Sequence, residues 1–167
     1  MNVSNWRLSA LGAALFAAGF FLATSAAAQI IRELDLSSPA ALGTRIEAET
    51  GAAPAIRVTT AWPVVVNLAE IRDPNVEATR LVFEARVRSE QLVGTAYLEL
   101  WCHFAGGGQY FGRGLDSTVT GTQDWKTIRT LFILQAGQRP ERLTLNLVIN
   151  GRGAVAITGA KLSKAPL

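Results

Sequence analysis

From Gln29 onward, apolar and polar residues alternate with a period of two in segment after segment, and nowhere is the i, i+3, i+4 spacing of an amphipathic helix kept for three turns. Arg80–Arg88 sends Leu81, Phe83, Ala85 and Val87 to one side and Arg80, Glu84, Arg86 and Arg88 to the other, the pattern of a half-buried strand. Thr95–Phe104 repeats it, with Ala96, Leu98, Leu100, Cys102 and Phe104 inward and Tyr97, Glu99, Trp101 and His103 outward. Arg142–Asn150 buries Leu143, Leu145, Leu147 and Ile149; Asn150-Gly151 then predicts a hairpin turn into an antiparallel strand over Gly153–Thr158. Shorter strands are expected over Arg45–Thr50, Ala55–Thr60, Val64–Leu68, Gln109–Arg113 and Trp125–Leu134, separated by breaks containing Gly, Pro or Asp. This many short strands at this spacing predict an all-β, two-sheet antiparallel sandwich of the jelly-roll type.

The beginning of the chain is different. A short basic start, Met1–Arg7, precedes the apolar run Leu8–Leu22 and the small-residue stretch Ala23–Ala28, the layout of a signal-peptide helix with an A-x-A exit. Cleavage after Ala28 would make Gln29 the first mature residue. Residues 8–28 carry no charge and are also long enough to span a bilayer, so a membrane anchor is the alternative. Either way the remainder is expected outside the cytoplasm, periplasmic or secreted. The expected organisation is a signal peptide at 1–28, a lead segment at 29–44 containing the turn Ser37-Ser38-Pro39, and one domain at 45–167.

The formal net charge of +3 and the absence of a basic run leave no footprint for nucleic acid. Cys102 is the only cysteine, which excludes an intramolecular disulfide and a cysteine zinc cage; an inert buried thiol is expected. His103 is the only histidine, and there is no Gly-x-Ser-x-Gly elbow, so neither a two-histidine metal site nor a serine hydrolase can be assembled. Glu84 and Glu99 would be the carboxylates of a glycosidase if neighbouring strands brought them to one face, but thirteen acidic residues make such pairs easy to find. No enzyme is expected.

The order from Thr79 to Leu162 carries a resemblance. An aromatic-rich strand leads to Gly121-Thr122-Gln123-Asp124-Trp125, an apolar strand, a Leu-x-Leu-x-Leu strand, Asn150-Gly151, and a closing Ala154-Val155-Ala156-Ile157. This resembles the galactose-binding-like jelly rolls found as carbohydrate-binding modules of glycoside hydrolases. The resemblance implies a non-catalytic sandwich that binds a glycan, with Trp125 a packing residue at a strand start. The closing-strand Asp of that family is missing here, where Ala154–Thr158 stands, so its role is not carried over. Glu47 and Glu49 are the acids left to hold a structural calcium, without a recognised loop, and no cofactor is expected.

The leading candidate site is the outward stripe of Thr95–Phe104. Tyr97 and Trp101 would be platforms for the C–H face of a sugar, with Arg86, Glu99, His103 and Asn146 bonding its hydroxyls. The competing reading covers this face with another segment, making both rings a packed second layer. A second patch follows the glycine-rich Phe104–Gly108 loop, at Gln109, Tyr110 and Arg113; the loop lacks the Gly-Lys-Ser/Thr ending of a phosphate cradle. Trp62-Pro63 is expected as a packed corner. The partner is therefore expected to be a glycan or another polar cell-envelope ligand; the alternative is a periplasmic structural or protein-interaction domain recruiting a partner through Arg80, Arg86 and Arg88 or through the glycine-rich loop.

Overall fold

The structure is a computed structural model that describes residues 28–36, 45–49 and 55–167. The expected signal helix, its cleavage and the Ser37-Ser38-Pro39 turn lie outside the described residues. Among these residues the elements are β1 (Gln29–Glu33), β2 (Arg45–Glu49), β3 (Ala55–Thr60), β4 (Val64–Arg72), β5 (Thr79–Phe104), a single 3-10 turn at Ala105–Gly107, β6 (Gln109–Arg113), β7 (Val119–Leu134) and β8 (Pro140–Ala165). No described helix is long and apolar enough to cross a membrane.

Two strands of 26 residues, β5 and β8, form the frame. They run antiparallel along their whole length, from Arg80 opposite Ala165 to Phe104 opposite Pro140. Each contributes one half to each layer of the sandwich. The first layer joins β2, β3, the 153–165 half of β8, the 79–90 half of β5, and β7; the second joins β4, the 140–150 half of β8, the 95–104 half of β5, and β6. Their inner faces meet in one core, where Leu81, Phe83, Val155 and Ile157 pack from the first layer and Leu98, Leu100, Leu145 and Leu147 from the second. Each such fully buried side chain stabilises the fold by about 1.5–3 kcal/mol. The all-β jelly-roll architecture is thus present, with three departures from the sequence reading.

First, Asn150-Gly151 is not a hairpin. Asn150 stays paired with Thr95 and Gly151 with Gly94, so the chain carries straight on through the bend. The glycines serve a close crossing of the two long strands: a Cβ on Gly94 would lie 2.2 Å from the Asn150 carbonyl oxygen, and one on Gly151 1.9 Å from that of Val93. Second, the strands expected over Arg80–Arg88 and Thr95–Phe104 are two halves of one strand, with the expected inward faces, odd-numbered before the bend and even-numbered after it. Leu81, Phe83, Ala85, Val87 and Ser89 are buried before it, Leu92, Ala96, Leu98, Leu100 and Cys102 after it. A bulge between Ser89 and Leu92, with Gln91 at φ 49°, absorbs the extra residue. Third, the expected lead segment supplies β1, which pairs with β8 from Gln29 opposite Lys164 to Glu33 opposite Lys161.

On the far side the layers close upon each other. A Cβ on Gly112 of β6 would sit 2.3 Å from the Leu131 carbonyl oxygen of β7, so only glycine lets the two edges approach.

Candidate functional site

The outer face of the second layer holds the candidate site. Cross-strand register arranges it in rows across β4, β8, β5 and β6: Asn67, Asn146, Glu99 and Arg113; then Glu70, Thr144, Trp101 and Phe111; then Arg72, Arg142, His103 and Gln109. The alternation of Thr95–Phe104 put Tyr97, Glu99, Trp101 and His103 on one side, and the pairing of β6 adds Phe111 to them.

Glu99 is the centre. It points outward from the sheet yet is only 4% exposed. Burying a carboxylate is costly unless its oxygens are hydrogen-bonded, and here three donors converge on it. Trp101 Nε1 donates to Oε1 at 2.6 Å, Arg113 Nε donates to Oε2 at 2.7 Å, and Asn146 Nδ2 donates to Oε1 at 3.3 Å. Asn67 Nδ2 in turn donates to Asn146 Oδ1 at 3.1 Å, extending the network to β4. The bond to Glu99 raises the Arg113 guanidinium above its already high range. Glu99 therefore fixes the plane of the Trp101 indole and anchors Arg113, whose guanidinium lies 4.5 Å from the centre of the Phe111 ring.

Trp101 is half-buried and forms an aromatic cluster with Phe111 (centroids 4.8 Å apart, tilted by 44°) and His103 (6.4 Å apart, stacked at 24°). Phe111 is exposed. His103 is held by both ring nitrogens: Nε2 lies 2.9 Å from Thr144 Oγ1, and Arg142 Nη2 lies 3.3 Å from Nδ1. A guanidinium can only donate, so Nδ1 accepts and Nε2 carries the proton that Thr144 receives. Burial, followed by the charge of Arg142, holds the His103 pKa below its usual 6.5, and Glu70 partly opposes this. Arg142 and Arg72 both reach Glu70, at 3.4 and 2.9 Å. Beyond His103 the stripe ends in a depression of about 470 Å³ lined by Arg72, Arg142, Phe104, Gly106–Gly108 and Gln109.

The expected site residues divide accordingly. Glu99, Trp101, His103, Gln109 and Asn146 come together. Tyr97 shares their face but is 8% exposed, opposite Val148, so it is a packed residue and not an open platform. Tyr110 lies opposite the inward-facing Cys102, on the other side of β6, with its ring edge-on to Phe104 at 5.8 Å. Arg86 does not belong here: the bend puts it on the outer face of the first layer, where its guanidinium is 5.7 Å from the Trp125 ring and that of Arg88 is 5.3 Å away. Glu84 lies in that layer too, paired with Lys161 at 3.0 Å, so it cannot join Glu99 as a catalytic pair. Phe111 and Asn67 were missed. The signal for Phe111 was the alternation Gln109, Phe111, Arg113 in β6; Asn67 had none within its apolar strand.

Cys102 is buried, and burial alone pushes its thiol up to about 12. Among the described residues, no three His, Cys, Asp or Glu side chains gather to hold a metal ion. Glu47 is exposed on β2; the Glu49 side chain lies outside the described residues.

With this geometry in hand, the chain is similar to solved carbohydrate-binding modules. The CBM22-1 xylan-binding domain of Paenibacillus barcinonensis Xyn10C superposes with a TM-score of 0.59 at 14% identity, over 85% of this chain and 98% of that one. The C-terminal family 22 carbohydrate-binding module of Clostridium thermocellum Xyn10B gives 0.56 at 12%, over 81% and 93%. A carbohydrate-binding module of Cellvibrio mixtus lichenase 5A, in complex with cellotriose, gives 0.50 at 18%, over 82% and 99%. These likenesses show the fold, a jelly roll shared with carbohydrate-binding modules. No family model matches the chain, and no curated protein does.

Proposed function

We propose that this protein is a non-catalytic, exported domain that binds a carbohydrate on the outer face of its second layer. The observation that carries the reading is the Trp101–Phe111–His103 cluster, an aromatic surface on the outside of a sheet whose orientation is fixed from beneath by a buried glutamate. A sugar ring presents an apolar C–H face and a rim of hydroxyls. The first stacks on Trp101 and Phe111; the second meets Gln109, Thr144 and the guanidiniums of Arg113 and Arg142. Glu99 and Asn146 hold the platform from below. Support comes from the fold shared with modules that bind xylan or hold cellotriose.

Export is part of the proposal and rests on the Met1–Ala28 layout. Affinity electrophoresis through gels containing a panel of soluble polysaccharides tests the binding reading. One polysaccharide is expected to retard the protein, and Trp101→Ala is expected to abolish the retardation while far-UV circular dichroism is unchanged. Equal retardation of wild type and variant would refute the assignment.

A further inference from the structure

The bent end of the sandwich carries a second surface that the reading above does not use. Here β3 hands over to β4 through Ala61, Trp62 and Pro63, above the point where β5 and β8 cross. Trp62, expected as a packed corner, is instead 56% exposed. Its backbone is nonetheless pinned: Thr60 Oγ1 donates to the Trp62 carbonyl at 2.7 Å and accepts from the Trp62 N–H at 3.3 Å. The indole itself, open to water, contributes little to the core.

Beside it, on the first-layer side, lies a depression of about 800 Å³ lined by Thr59, Thr60, Ala61, Thr122 and Arg152 around the Arg57–Glu90 pair. Ligand cavities commonly occupy about 300–1,000 Å³. Arg57 grips both oxygens of Glu90, at 2.8 and 2.5 Å, so donors and acceptors sit side by side in a fixed fork. The left-handed Gln91 (φ 49°) also lines the depression, its N–H held by Thr122 Oγ1 at 3.0 Å. A non-glycine residue in that conformation is strained, and strain of this kind gathers at ligand sites.

We propose that this depression is a second binding site for a polyhydroxylated ligand, a short sugar segment whose adjacent hydroxyls meet the Arg57–Glu90 fork and the threonines while one ring reaches the exposed Trp62, the residue that follows the lining Ala61. It goes beyond the first site and stands apart from it. Along β5, Trp101 lies seven residues past Gly94, roughly 23 Å of extended chain, and on the other layer's face. The protein is then bivalent and able to bridge two glycan chains.

Calorimetric titration of the full chain with cellotriose, xylohexaose and trigalacturonate tests this. Two sites per chain are expected for at least one probe. Trp62→Ala is expected to weaken one of them about tenfold or more while leaving the other intact, and the exposed Arg152→Ala offers an independent variant with the same effect. Trp101→Ala is expected to remove the complementary site. A single site, lost in Trp101→Ala and untouched by Trp62→Ala and Arg152→Ala, would overturn the second site and spare the first. Binding lost only in Trp62→Ala would do the reverse, and no binding of any probe would overturn both.

Discussion

Replacing Glu99 by Gln keeps the shape of the side chain and removes one charge and one acceptor. In the folded protein all three neighbours of Glu99 that bond it are donors: Trp101 Nε1, Arg113 Nε and Asn146 Nδ2. A glutamine there must turn its NH2 toward at least one of them, donor against donor. A hydrogen bond to a charged group contributes about 1.5–3 kcal/mol, and leaving a buried donor unsatisfied costs about 1–3 kcal/mol. Trp101 and Asn146 share Oε1, so a glutamine that places its oxygen there keeps both and turns its NH2 toward Arg113, which is partly exposed and recovers some of its loss from water. The expected destabilisation is about 1.5–2 kcal/mol, the loss of one charge-assisted hydrogen bond from a partly exposed donor. Urea unfolding monitored by tryptophan fluorescence reads this as a midpoint lowered by roughly 1 M with unchanged slope, taking a slope of about 2 kcal/mol/M. A Glu99→Gln protein within about 0.5 kcal/mol of wild type would refute the claim that this carboxylate organises the face.

Other expectations follow from the same coordinates. Gly94→Ala places a Cβ 2.2 Å from the Asn150 carbonyl oxygen at φ 112°, and is expected to cost about 3 kcal/mol or more, or to prevent folding, as read by soluble yield and thermal melting. Phe83→Ala removes a fully buried ring and is expected to cost about 3–5 kcal/mol in the same urea assay. His103 has its pKa lowered in the fold, so its contribution is present above the ordinary value of 6.5 and is lost as pH falls through the lowered one. Its protonation also removes the Nδ1 acceptor and sets a cation beside Arg142. Glycan affinity is thus expected to fall in this window, and His103→Gln is expected to flatten the profile; an identical profile in the variant would exclude His103 as its source.

Much of the fold could be read from alternation because each strand buries one face, which forces a period of two on Leu81–Val87, Leu98–Cys102 and Leu143–Ile149. What stayed hidden was the joining of these segments. Asn150-Gly151 suits a tight turn, but the same glycine suits a close strand crossing, and only the partner backbone at Val93 and Gly94 decides between them. The change of parity from Leu81–Val87 to Leu98–Cys102 was legible, but the bulge at the left-handed Gln91 that joins the two halves into one strand gave no sign in the sequence. Arg86 was misplaced because the bend assigns its half of β5 to the other layer. In the site, the Glu99, Trp101 and His103 stripe was visible within one strand, whereas the donors that bury Glu99 come from β6 and β8 and the network reaches on to β4, so they required the register. Trp62 was expected to pack because aromatics usually do, and its exposure follows from the path of a three-residue turn.

The most direct test leaves Trp101 as the only tryptophan after Ala28, by Trp62→Phe and Trp125→Phe, and measures acrylamide quenching of its emission with and without the polysaccharide that retards the protein. The account predicts an indole that acrylamide reaches in the free protein and that the glycan protects, together with a shift in emission. An indole equally quenched in both states, while the glycan stays bound, would contradict it.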